Sequence, residues 1–238
     1  MEEWINKITQ GDSKILISQI PDNFFDLILT DPPYEIEDMS PWFNHFSRIL
    51  KPNGSIYIFG NKNMIAEHWF SQLKMPFKDL LIWYYKNSPK VKGFWRMSMQ
   101  AIIYAHNGNP VFHEDEARVP YLPSTQKLHG RMRPSSGRMK ESKPYNMSKG
   151  ALPRDVIECP ALLGHLAKER VGHRDQKPFS LIEKLVRTSS NPGDMIFDPF
   201  SGSGTTAEVC FKNKRNYITF EINPKNVDMG RNRILQKE

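Results

Sequence analysis

The sequence predicts an open, mostly parallel α/β sheet with helices on both faces. Short apolar, β-rich runs recur along the chain, several are continuous rather than alternating, and helix-like stretches lie between them. A continuous apolar run marks a strand covered on both faces, and strands alternating with helices build a layered α/β domain. The predicted strands fall at 14–17, 25–30, 55–59, 79–84, 100–105, 194–197 and 217–221, and the clearest helices at 42–50, 64–73, 180–190 and 205–213. From about residue 107 to 150 the chain is dense in Pro, Gly, Ser, Lys and Arg without a sustained period, which predicts an irregular insertion. The chain divides into residues 1–85, an N-terminal part of the α/β domain, an insert at 86–165, and residues 166–238, which complete the same sheet.

At 238 residues and 39% hydrophobic content the chain buries one good-sized core. It has no apolar run of about 18 residues, and Met1-Glu2-Glu3-Trp4 lacks the layout of a signal peptide, so a soluble cytoplasmic protein without a membrane partner is expected. Cys159 and Cys210 have no CxxC or Cys/His ligand spacing, which predicts neither a disulfide framework nor a metal site. The formal charge of +7 is unevenly placed: residues 86–149 hold twelve Lys/Arg against four acidic residues, and the remainder is nearly neutral. A neutral body with one cationic stretch fits a polyanion-binding insert, although charge alone fits a solvated loop as well.

Two motifs sit at predicted strand ends. Phe25-Asp26-Leu27-Ile28-Leu29-Thr30 runs straight into Asp31-Pro32-Pro33-Tyr34, which places a carboxylate and a ring at the edge where open α/β sheets bind ligands. The paired prolines fix φ and restrict the residue before them, so the loop is pre-organised. Met195-Ile196-Phe197 leads into Asp198-Pro199-Phe200-Ser201-Gly202-Ser203-Gly204-Thr205-Thr206 and then a helix, the cofactor-binding corner of a Rossmann-like unit. Glu221 follows about 20 residues on, a spacing suited to ribose hydroxyls. The pattern is not that of a P-loop.

These pieces, taken in order with His173-Arg174-Asp175-Gln176-Lys177-Pro178 and Pro192-Gly193-Asp194, resemble the β class of amino-methylating DNA methyltransferases, in which the target-amine motif precedes the cofactor motif and a recognition insert lies between them. The resemblance covers nearly the whole chain outside about residues 86–165. It implies an S-adenosylmethionine-dependent methyltransferase fold, S-adenosylmethionine as cofactor, double-stranded DNA as partner, and a dimer as one assembly open to the chain. By position, Asp31, Pro32, Pro33 and Tyr34 would be catalytic, with Asp31 also beside the cofactor. Asp198, Phe200, Gly202, Gly204 and Thr205 would line the cofactor pocket, with Glu221 on the ribose, Asp12 near the adenine, and His173, Gln176 and Lys177 capping the methionine end. Arg174-Asp175 replaces the family's more usual Pro-Thr.

The chemistry accounts for the tetrapeptide. An exocyclic base amine is a poor nucleophile because its lone pair is delocalised into the ring. A site must therefore hold its two hydrogens with acceptors, here Asp31 and the Pro32 carbonyl, and place the nitrogen in near-attack geometry about 3 to 3.5 Å from the methyl carbon. Stacking hides the amine in a duplex, so the base is expected to flip out onto Tyr34. Methylation at carbon 5 of cytosine would need a cysteine, commonly presented in Pro-Cys order, whereas this chain has only Cys159-Pro160.

In the insert, Trp83, Tyr84, Tyr85, Phe94, Trp95 and Arg96 interleave aromatics with a cation, and Arg131, Arg133, Arg138 and Lys140 follow. Arg96 and the four later cations are the expected DNA-binding residues, and Trp83 and Tyr84 the expected core. Because the tetrapeptide begins with Asp, adenine N6 is the expected target. The alternatives are cytosine N4, an RNA or protein amine, and an idle DNA-binding module that keeps the fold.

Overall fold

In the computed structural model, which describes residues 1–87, 92–93, 95–132, 144–163 and 169–235, the chain opens with β1 (Lys7–Gln10), α1 (Ser13–Leu16), β2 (Phe25–Thr30) and α2 (Ser40–Ile49). It continues through β3 (Leu50–Gly60), a helical segment made of α3 (Lys62–Met64), a π-helical turn (Ile65–Trp69) and α4 (Phe70–Gln72), then β4 (Phe77–Tyr84) and β5 (Met99–His106). Short helices α5 (Glu114–Ala117) and α6 (Pro123–Gln126) precede β6 (Val156–Glu158), and α7 (Phe179–Ser189), β7 (Met195–Asp198), α8 (Thr205–Lys212), β8 (Asn216–Glu221) and α9 (Pro224–Leu235) complete the described chain.

All eight strands lie in one sheet in the order β1-β8-β7-β2-β3-β5-β4-β6. Every pairing is parallel except those of β5 with β3 and β4, so β5 alone runs against the rest. The predicted mostly parallel sheet is therefore present. Successive residues on the central strands point to opposite faces. Ile28, Ile56, Ile58 and Phe197 pack with Phe43, Phe46 and Trp69 on one face. Leu27, Leu29, Tyr57 and Ile196 pack with Leu181, Leu185 and Val209 on the other. The continuous apolar runs in β2 and β3 follow from this two-sided cover.

From β7 the chain passes through α8 to β8 on one side, whereas from β2 it passes through α2 to β3 on the other. The loops leaving β7 and β2 diverge and open a crevice at the carboxyl ends of these adjacent parallel strands. Asp198 ends β7, and Asp31 follows the last residue of β2.

One predicted strand is corrected: residues 14–17 are helical. The Asp12 side chain accepts from Lys14 N at 2.9 Å and caps α1, leaving Ile15 64% exposed and Ile17 buried. The strand at this edge is β1, whose residues Lys7-Ile8-Thr9-Gln10 bury only Ile8 and so give little apolar signal. β6 and α9 also escaped the sequence reading, while the predicted helix at 64–73 contains the π-helical turn. Residues 86–165 supply β5 and β6 to the common sheet; between His106 and Val156 the described residues hold two short helices and isolated bridges Val119–Ala151 and Met132–Pro144.

Candidate active site

β2 delivers the Asp31-Pro32-Pro33-Tyr34 loop to the crevice. The Tyr34 hydroxyl donates to Asp31 Oδ1 at 2.7 Å, and burial followed by the neighbouring carboxylate pushes its pKa well above the usual phenol range, so it remains a donor. Gln100, at the start of β5, donates its amide to the same hydroxyl. The Pro32 carbonyl takes no hydrogen bond from the described residues. The loop beyond is pinned by the helical segment after β3: Trp69 Nε1 donates to the Ile36 carbonyl at 2.9 Å, while Gln72 accepts from Met39 N at 2.6 Å and donates to the Glu37 carbonyl at 2.8 Å. The tetrapeptide is thus held from both ends, as a site that must aim a lone pair requires.

β7 delivers the glycine-rich turn. Asp198 accepts from Phe200 N at 3.0 Å and from Thr206 Oγ1 at 2.7 Å. Glu221, closing β8, accepts from Gly202 N and Asn223 N, each at 2.8 Å, which ties the two loops together. Gly202 has φ +51°, and a Cβ there would stand 3.4 Å from the His173 ring. The rings of Trp42 and Phe200 lie 5.1 Å apart on the α2 side, and Trp42 Nε1 is fixed by Ser13 Oγ at 2.9 Å. Between these walls is a cavity of about 520 Å³ lined by Asp12, Asp31, Tyr34, Phe59, His173, Lys177, Asp198, Phe200, Gly202, Thr205 and Glu221, among others.

A family model described as DNA methylase matches residues 25–232. The chain belongs to this family. The methylase is 30% identical to the type II methyltransferase M.HpaI of Haemophilus parainfluenzae over 92% of its own length and 70% of the relative's. It is 29% identical to the DNA adenine methyltransferase YhdJ of Escherichia coli over 95% of its length and 82% of that chain. Among solved structures it is similar to the cytosine-N4-specific PvuII DNA methyltransferase, with a TM-score of 0.70 at 17% identity covering 95% of the methylase and 85% of that chain. The M1.HpyAVI–SAM complex gives a TM-score of 0.66 at 21% identity, covering 95% and 98% of the two chains.

Of the expected site residues, the methylase brings Asp12, Asp31, Pro32, Pro33, Tyr34, His173, Lys177, Asp198, Phe200, Gly202, Thr205 and Glu221 to this one cavity. Gln176 is not on it: its buried side chain accepts from Val171 N and donates to the Glu169 carbonyl, so it braces the 169–177 loop from behind. Gly204 is off the cavity too, at φ +75° against Gly230 of α9, where close backbone approach accounts for the glycine. Thr205 faces the cavity, yet its hydroxyl accepts from Arg233 at 2.9 Å. Lys177 lines the cavity with its ammonium paired to Asp31.

Cys159 is 7% exposed and burial raises its thiol pKa, in keeping with a packing residue. Trp83 is buried and donates to the Cys159 carbonyl at 2.7 Å, whereas Tyr84 is only partly buried. Of the expected DNA-binding residues, Arg96 and Arg131 are exposed; Arg133, Arg138 and Lys140 lie outside the described residues, as does Phe94. Gln100, Trp42, Phe59 and Arg233 were missed by the sequence reading, since each reaches the site through a contact far apart in the chain.

Asp198 is buried at the cavity wall, and burial, with the charges of Asp31 and Glu221 adding, pushes its pKa up to about 7 from 3.8. A carboxyl whose pKa rises on folding contributes stability that is complete below about pH 4 and lost as the pH climbs through about 7. Thermal melts of the ligand-free protein should therefore fall between about pH 4 and about pH 7, and Asp198→Asn should flatten that fall by a few kcal/mol at most. An identical slope in the variant would show that Asp198 does not titrate in this window.

Proposed function

We propose that the chain transfers a methyl group from S-adenosylmethionine to an exocyclic amine of a flipped base in duplex DNA, and that the base is adenine. The observation that carries this is the Tyr34–Asp31 pair, hydrogen-bonded at 2.7 Å, opening onto the same cavity as the glycine-rich turn.

The cavity suits the cofactor. Asp12, Asp31, Asp198 and Glu221 all face it, and a ligand bearing a sulfonium and an ammonium is electrostatically matched to such a wall. Asp198, whose pKa burial and then the neighbouring carboxylates push up to about 7, is a group whose ionised form an incoming cation would favour. Glu221 is already oriented by two backbone N–H groups and keeps lone pairs for ribose hydroxyls. Bound S-adenosylmethionine supplies an activated methyl group. The protein's part is geometric and electrostatic: Asp31 and the open Pro32 carbonyl accept the two amine hydrogens, which draws the nitrogen lone pair out of conjugation, while Tyr34 gives the extruded base a ring to stack on.

Adenine is favoured because the tetrapeptide begins with Asp31 rather than Ser, and because a relative of 29% identity over 95% of the chain is a DNA adenine methyltransferase. The physical demands of adenine N6 and cytosine N4 are the same, so the choice rests on these likenesses. Sequencing modified bases in DNA from cells expressing the protein should show N6-methyladenine at one recurring sequence, and N4-methylcytosine alone would contradict the assignment.

The same edge supports a DNA-facing surface. β4 runs parallel to β2, so its carboxyl end lies on the same edge of the sheet as the tetrapeptide, and Gln100 at the start of β5 reaches Tyr34 there. Trp95 on the β4–β5 hairpin is fully exposed beside exposed Arg96 and Met97, an apolar and cationic surface suited to stacked bases and phosphates. Replacing both Arg131 and Arg133 by Ala should weaken binding to any duplex and reduce the log–log salt slope by about two, as expected when two phosphate contacts are lost. An unaltered slope would remove both from the interface.

A further inference from the structure

Lys177 reaches the crevice from the turn before α7, and its side chain is only 8% exposed. Its ammonium donates to Asp31 Oδ2, to the Tyr34 hydroxyl at 3.2 Å and to the Asp175 carbonyl at 3.3 Å. It lies 5.6 Å from the centroid of the Phe59 ring and 5.7 Å from that of Tyr34. Both carboxylate oxygens of Asp31 thus have fixed donors, Lys177 on one and Tyr34 on the other, and Gln100 locks the Tyr34 hydroxyl from the far side.

As a carboxylate Asp31 offers only acceptor oxygens to an amine hydrogen, whereas protonation would turn one of them into a donor. Pro32, Tyr34 and Phe59 line the cavity around it. Glu35, His173, Arg174 and Glu221 also line the cavity, but among the described residues the ammonium of Lys177 is the cation paired with the carboxylate.

We propose that Lys177 is a positioning residue for the target amine rather than a holder of the cofactor: its ammonium is the counter-charge that holds the Asp31 carboxylate turned into the crevice, and Gln100 fixes the Tyr34 hydroxyl on the other carboxylate oxygen. This rests on the methyl-transfer reading above and assigns the charge that makes its acceptor work.

The test is single-turnover methyl transfer to duplex DNA across about pH 5.5 to about 9, with S-adenosylmethionine affinity measured by calorimetry on the same proteins. Lys177→Met should lower the rate about a hundredfold near neutral pH, with the acid limb moved up by about one unit or more and partial recovery in alkali. Its cofactor affinity should stay within about threefold of the wild type. Lys177→Gln, which keeps polarity without charge, should behave likewise, and Lys177→Arg should restore the limb. Gln100→Leu, a neutral change, should lower the rate evenly with no movement of the limb. If Lys177→Met and Lys177→Gln lose rate with the limb in place, or lose cofactor affinity more than about tenfold, the assignment is overturned. The same holds if Gln100→Leu moves the limb as far. A wild-type protein that methylates no DNA at any pH would instead overturn the methyl-transfer reading, and this inference with it.

Discussion

Asp31→Ala should cut methyl transfer by at least about a thousandfold while cofactor affinity changes by less than about fivefold. The asymmetry follows from the geometry. Asp31 borders the cavity but is tied to Tyr34 and Lys177, whereas the glycine turn, Asp198 and Glu221 are held by their own hydrogen bonds and do not depend on it. Asp31→Asn keeps the volume and exchanges one acceptor oxygen for a donor, so it should lose nearly as much activity; rates at wild-type level in either variant would remove Asp31 from the chemistry. Rapid-quench transfer assays beside calorimetry separate the two quantities.

Gly204→Ala should be the most damaging small substitution for stability. At φ +75° a side chain is strained, and the new Cβ would lie 2.7 Å from Gly230 Cα and 3.2 Å from Ile8 Cδ1. The first of these is backbone and cannot swing away. Strain and overlap together should cost about 2 to 4 kcal/mol, or about 5 to 15 °C in melting temperature for a chain of this size. Gly193→Ala is the control: it shares a positive φ of +90° but meets nothing within 4 Å, so only the conformational part, about 1 kcal/mol, should be lost. Equal melting temperatures for the two variants would mean that α9 does not press on the cofactor turn as described.

Gly204 also shows what a sequence motif hides. The Gly-x-Gly spacing after β7 announced a cofactor turn, and Gly202 lies on the cavity, but Gly204 serves a helix contact with residue 230 that no local pattern reveals. The central strands and both motifs were legible because each depends on neighbours in sequence: β2 and β7 on apolar runs, the tetrapeptide on two prolines, the turn on its glycines. The edge was not. β1 carries one buried side chain, and the apolar stretch that follows it reads as strand until the Asp12 cap is seen to start a helix. Lys177 was read from its motif as a cofactor residue, and its pairing with Asp31, 146 positions away, is not visible in that motif. Gln100 reaches Tyr34 only because β5 reverses direction within the sheet. Contacts of this range depend on strand order, and strand order is not written in any single window of residues.

The central claim is that this crevice places a methyl group on an exocyclic base amine in duplex DNA. The most direct measurement is incubation of the purified protein with duplex DNA and S-adenosylmethionine labelled in its methyl group, followed by digestion to nucleosides and chromatography. The account predicts label on an exocyclic amine, with N6-methyladenosine as the labelled nucleoside in its deoxy form, and no label when Asp31→Ala replaces the wild type. Label on carbon 5 of cytosine, or an equal yield from the variant, would contradict it.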